Sequence, residues 1–254
     1  MVAIKYVGTF VVLSVLLSAC QAAAELIAMP EEPANVPQET ATPGLSAQKE
    51  TPLVEKTILA LGDSYTIGTR VTQDERWPLQ LAAALRKEGI PAAEPLIIAQ
   101  GGWTTEDLAA GIRVANPQGP FDLVTLLIGV NDQFRSNAVE EYRPRFTELL
   151  AQAIDFAGGD PGRVIVLSIP DWSVTPFANG RRTTDTASEI DAFNAANLFE
   201  AQEAGVHYVD VTAISRLAGD KPDLLASDGL HPSGDMYALW VAELLPLAIE
   251  ILGE

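Results

Sequence analysis

The stretch TILALGDSYTIG, Thr57 to Gly68, changes character in its middle. The first half is a short apolar run that stops at Gly62. The second half turns polar at once, with Asp63 and Ser64. A run this short and continuously apolar reads as a buried strand, because a half-buried strand alternates and a helix needs more length. PLIIAQ (Pro95–Gln100), FDLVTLLIG (Phe121–Gly129), GRVIVLSI (Gly162–Ile169) and GVHYVDV (Gly205–Val211) repeat the pattern. Helical periodicities lie between them. Pro78 suits the first turn of a helix carrying Leu81 and Leu85. Tyr142, Phe146, Leu149, Leu150 and Ala153 form one apolar face, and Ile190, Phe193 and Asn197 suggest another. Ser233 is placed to cap a last helix with Trp240, Leu244, Leu247 and Ile251 on one side. Alternating strands and helices imply an open α/β sheet with helices on both faces.

Outward from this core, the ends of the chain differ. The start, MVAIKYVGTFVVLSVLLSACQ, has one cation, Lys5, then an apolar run from Val7 to Ala19. That is the length of a signal peptide, short of the ~20 residues a spanning helix needs. Leu17, Ser18, Ala19 and Cys20 resemble a bacterial lipoprotein signal, in which cleavage precedes a lipidated cysteine; the plainer reading is an ordinary secretory signal with a chance cysteine. The Pro-, Glu-, Ala- and Thr-rich segment that follows lacks apolar periodicity and is expected to be a disordered tether. The expected organisation is therefore a signal peptide over 1–19, a tether with lipidated Cys20 over 20–55, and one folded domain over 56–254. Cys20 is the only cysteine, which excludes an intrachain disulfide and the Cys-rich metal motifs. A net charge of −18 argues against nucleic-acid binding.

In open α/β sheets, ligands bind beyond the carboxyl ends of the strands. The residues after each run are GDSYTIG with Ser64, GGWTT with Gly101 and Gly102, GVNDQ with Asn131 and Asp132, and PDWSVTPF with Asp171, Trp172 and Phe177. The loop before the last helix, SDGLHPSGD, holds Asp228 and His231, the latter one of two histidines in the chain. A serine, glycine amides, an asparagine, an aspartate and a histidine at one sheet end are the inventory of acyl transfer. A serine hydroxyl is a poor nucleophile until a base takes its proton. His231 is placed to be that base, and Asp228 to hold its Nδ1 in one tautomer. The Ser64 and Gly102 amides and the Asn131 side chain are placed to meet the developing oxyanion. Alone, each residue has a plainer reading: Ser64 as a helix N-cap, Gly102 as turn chemistry, Asn131 as a partner of its own loop. Asp63 and Asp132 are expected to fix loop geometry, and His207 to be structural.

Taken in order, Gly62-Asp63-Ser64, Gly102, Gly129-Val130-Asn131-Asp132 and Asp228-Gly229-Leu230-His231-Pro232 resemble the SGNH (GDSL) hydrolase superfamily, named for its serine, glycine, asparagine and histidine. Arg76-Trp77-Pro78 matches a further family feature. The chain departs from the pattern at Tyr65, where the family name has leucine, and in PLIIAQGG, which lacks the asparagine often found before the glycine. Gly102 is favoured over Gly101 because it directly precedes Trp103-Thr104. The resemblance implies nucleophile Ser64, base His231, its partner Asp228 and an oxyanion hole of Ser64, Gly102 and Asn131.

The expected fold is a three-layer α/β/α sandwich with a flavodoxin-like parallel five-stranded sheet. The expected activity is hydrolysis of carboxylic esters, O-acyl or acetyl esters of glycans or lipids, through an acyl-serine, without cofactor or metal. Trp103, Trp172 and Phe177 are candidates for the substrate rim. The expected protein is a monomeric cell-envelope lipoprotein, held to the membrane through Cys20. The competing reading is a non-catalytic envelope lipoprotein that binds glycans or lipids with a relict site. A nucleotide-binding domain is excluded, since neither glycine cluster has phosphate-loop spacing.

Overall fold

In a computed structural model of the protein, residues 54–181 and 185–253 are described. The signal sequence, Cys20 and nearly all of the tether segment lie outside them. Five strands form one parallel sheet: β1 (Ile58–Gly62), β2 (Leu96–Ala99), β3 (Leu123–Leu127), β4 (Val164–Leu167) and β5 (His207–Val209). Their order is β2-β1-β3-β4-β5, the flavodoxin-like arrangement with its switch point between β1 and β3. The helices are α1 (Ser64–Ile67), α2 (Trp77–Lys87), α3 (Thr105–Ala115), α4 (Val130–Phe134), α5 (Val139–Phe156), α6 (Thr186–Ala204), α7 (Thr212–Ser215) and α8 (Gly234–Leu252).

Every residue of β1, β3 and β4 is buried, as their unbroken apolar sequences require. The edge strands are less covered. β5, expected to be buried like the others, is half-buried along its length because it pairs on one side only. Right-handed crossovers place α2 on one face and α3, α5 and α6 on the other, since the chain moves outward from β1 to β2 and then back past β1 to β3 and onward. Packing agrees: α8 lies against α2, while α5 contacts both α3 and α6. Ser233 caps α8 by accepting from the Met236 amide. The buried row of α8 is Tyr237, Trp240, Leu244, Ala248 and Leu252. Leu247 and Ile251, expected on that face, are only half-buried, because a helical row drifts by one position over four turns. Among the described residues, no helix is long and apolar enough to cross a membrane.

Candidate active site

The switch point sets the site. Beyond the carboxyl end of β1, Asp63 turns the chain into α1, and its Oδ1 accepts from the Tyr65 amide at 2.9 Å. Ser64 is thus the first residue of a helix, where its own N–H has no intrahelical acceptor. It is 7% exposed and lines a cleft of about 290 Å³. Burial pushes the Asp63 carboxyl up to about 7, against the Tyr65 amide that favours its charged form. Its Oδ2 has no hydrogen-bond partner among the described residues.

Beyond β3, Gly129 caps α4 with φ +128, and Asn131 and Asp132 follow. A side chain at Gly129 would be strained and would also meet the Tyr142 hydroxyl at 2.6 Å. Asp132 is buried and binds the start of α3, accepting from the Thr105 amide at 2.9 Å and the Thr105 hydroxyl at 2.8 Å. Burial raises its pKa, with the Thr105 bonds working against the shift. Its contacts thus lock α4 to α3. Asn131 donates from Nδ2 to the Trp103 carbonyl at 2.9 Å, which leaves its second N–H available.

The base loop is built by main-chain bonds. Ala226 donates to the His231 carbonyl at 2.7 Å and Ser233 to the Leu224 carbonyl at 2.8 Å. Asp228 Oδ1 accepts from the Leu230 and His231 amides at 3.0 Å each, while Oδ2 lies 2.7 Å from His231 Nδ1. Partial burial opposes ionisation of Asp228, but the His231 ring and the two amides outweigh it and hold the carboxyl below its ordinary range. Arg70, in the left-handed region at φ +71, adds a weak contact 3.9 Å from the same oxygen. The His231 ring lies 5.7 Å from that of Tyr65, and the Tyr237 hydroxyl of α8 donates to the Tyr65 carbonyl at 2.9 Å.

The cleft brings together Ser64, Gly101, Gly102, Asn131 and His231, with Asp228 behind the histidine. Trp172 and Phe177 line it. Trp103 does not. Its ring lies on Gly111 of α3, so close that a methyl there would be 2.2 Å away. The correction follows from helix packing: a glycine on α3 offers the indole a closer seat than the cleft does. Phe134 takes that place in the wall and was missed from sequence. It stands 5.4 Å from the Trp172 ring and 6.3 Å from Phe177. It lies one helical turn after Val130, which also faces the cleft, a relation that shows only once α4 is formed. Gln133 holds the wall by accepting from the Trp172 indole at 2.9 Å.

Chemically, the arrangement offers a hydroxyl, an imidazole backed by a carboxylate, and backbone and side-chain N–H groups beside an apolar wall. A family model for the GDSL-like lipase/acylhydrolase family matches residues 60–239. An arylesterase from Vibrio mimicus is 25% identical over 189 residues, covering 74% of this chain and 85% of that protein. Two solved structures share the fold. The psychrotrophic esterase EstA from a Pseudoalteromonas species superposes with TM-score 0.59 at 20% identity, over 79% of this chain and 100% of that one. The acetylxylan esterase Axe2 from Geobacillus stearothermophilus gives 0.57 at 18% identity, over 80% and 97%.

Proposed function

The chain belongs to the GDSL-like lipase/acylhydrolase family and is an SGNH-type esterase, and we propose that it cleaves carboxylic esters through an acyl-Ser64 intermediate. His231 accepts the Ser64 proton as Oγ bonds to the ester carbonyl carbon. The carbonyl oxygen becomes an oxyanion that accepts from the Ser64 and Gly102 amides and the Asn131 side chain. Collapse breaks the bond to the alcohol, which leaves with the proton from His231. Water then attacks the acyl-serine by the same route in reverse. Asp228 keeps its negative charge throughout, in line with its lowered pKa, and holds the imidazole with Nε2 toward the serine.

The observation that carries this reading is the 2.7 Å Asp228–His231 contact at the edge of a cleft that also holds Ser64 and Asn131. Fluorophosphonate labelling followed by peptide mapping tests it. An adduct on Ser64 that is lost in His231→Ala is the expected result, with Asp228→Asn slowed by up to about 10⁴. Wild-type turnover in His231→Ala would sink the assignment.

The cleft wall of Val130, Phe134, Trp172, Phe177 and Leu230 favours an apolar acyl or aryl group next to the ester. An acyl-length series of p-nitrophenyl esters, run beside acetylated xylan and a lysophospholipid, separates glycan from lipid substrates. The sequence Leu17-Ser18-Ala19-Cys20 supports a further proposal: the enzyme is a cell-envelope lipoprotein anchored through Cys20, acting on esters outside the cytoplasm.

A further inference from the structure

The oxyanion side of the cleft is formed by a loop of two glycines that packing does not hold. Gly101 and Gly102 are both exposed. Gly102 has φ +84, and a methyl placed on it would meet nothing within 4 Å. Glycine has the widest backbone freedom of any residue, so the loop's orientation has to come from hydrogen bonds. The Trp103 amide donates to the Gln100 carbonyl at 3.3 Å. Asn131 Nδ2 donates to the Trp103 carbonyl at 2.9 Å, and Arg135 Nη2 donates to the Gly102 carbonyl at 2.9 Å.

Asn131 and Arg135 are one helical turn apart, joined by the Arg135 amide donating to the Asn131 carbonyl at 3.0 Å. One turn of α4 therefore grips two successive carbonyls of the glycine loop. The guanidinium also reaches the helix that follows: Nη1 lies 3.6 Å from Asp107 Oδ2, the carboxylate that closes the capping box of α3 with Thr104. The rigid fork of donors on arginine suits such a two-ended contact.

We propose that Arg135 is a positioning residue for the oxyanion hole: by holding the Gly102 carbonyl, it fixes the backbone of Gly102 so that its N–H points into the cleft. Arg135 does not line the cleft itself. Its effect is indirect, through a donor aimed before the reaction begins. The inference rests on the oxyanion role of Gly102 proposed above.

Steady-state kinetics of Arg135→Ala, Arg135→Lys and Asn131→Ala on p-nitrophenyl acetate test it. Asn131→Ala should lose about 10²- to 10³-fold in kcat as a lost donor. Arg135→Ala should lose roughly 10- to 100-fold as a misaimed one, with KM within about twofold. Arg135→Lys should recover part of the loss, since an ammonium still donates to one carbonyl. The Arg135 side chain is 56% exposed, so guanidinium salt at non-denaturing concentration should restore turnover to Arg135→Ala but not to Asn131→Ala. Wild-type kcat in Arg135→Ala beside a damaged Asn131→Ala would overturn this inference and leave the proposed function standing. Wild-type kcat in Asn131→Ala would overturn both. A slow Arg135→Ala with a lowered thermal midpoint, no guanidinium rescue and no gain from lysine would make Arg135 merely structural, which also overturns it.

Discussion

Asp63 is the residue whose surroundings are most at odds with its charge. It is fully buried, one oxygen caps α1, and the other has no hydrogen-bond partner among the described residues. Burial lifts its pKa from 3.8 to about 7. Between those values the folded protein holds a proton that the unfolded chain has released. Folding therefore takes up a proton in that window, and the Asp63 contribution to stability falls as pH rises, levelling off above about 7. Asp228, held low, works in the opposite sense and loses its contribution as pH falls. Asp63→Asn keeps the capping oxygen and cannot ionise. Its stability, followed by thermal midpoint, should gain on the wild type between about pH 4 and pH 7, by an amount on the order of a few kcal/mol, and the gain should level off above that range. Parallel curves for the two proteins would show that Asp63 is ionised throughout. Sequence reasoning assigned Asp63 to loop geometry and offered Ser64 as a helix cap; Asp63 is the cap, and Ser64 is the first helical residue. The perturbation of Asp63 was not legible there, because complete burial and the nearby charge of Asp132 arise only once distant parts of the chain are packed together.

At the scale of the element, α4 shows what a short helix demands. Gly129 starts it in a backbone conformation that side chains avoid, and a methyl there would press on the Tyr142 hydroxyl at 2.6 Å and Ile169 at 2.7 Å. That hydroxyl lies 3.0 Å from the Ile128 carbonyl and 2.7 Å from the Asn197 side-chain oxygen, joining β3, α5 and α6. Gly129→Ala should cost about 2–4 kcal/mol in urea unfolding, from strain and overpacking together, and should lower kcat by tilting Asn131. A loss below about 0.5 kcal/mol would mean that the site relaxes freely. The long elements were readable in advance, because a five-residue apolar run or a 19-residue amphipathic helix carries its own periodicity. α4 was not, since five residues are too few to show a period. Phe134 and Arg135 therefore stayed hidden while Asn131, inside a motif, did not. Trp103 was misplaced for a related reason: its neighbour across the turn, Gly111, lies on the next helix.

At the scale of the whole molecule, the parallel sheet with helices on both faces and the gathering of loops at one end followed from the alternation of runs and the crossover rule, whereas alternation alone does not fix the order of strands. The anchor is argued from four residues at the other end of the chain. Mass spectrometry of the membrane fraction should find a mature N-terminus at Cys20 carrying lipid, and an unmodified protein free in the medium would remove the envelope assignment. The contact between the Tyr237 hydroxyl and the Tyr65 carbonyl spans 172 residues and ties the last helix to the turn that carries Ser64. It works as a clasp that closes only when the final helix is present. A chain cut short before α8, by a premature stop or by trimming from the carboxyl end, keeps all five strands and its serine. It nevertheless loses both the clasp and the helix on which the histidine loop is seated. Damage at that end should therefore silence the enzyme outright rather than weaken it by degrees.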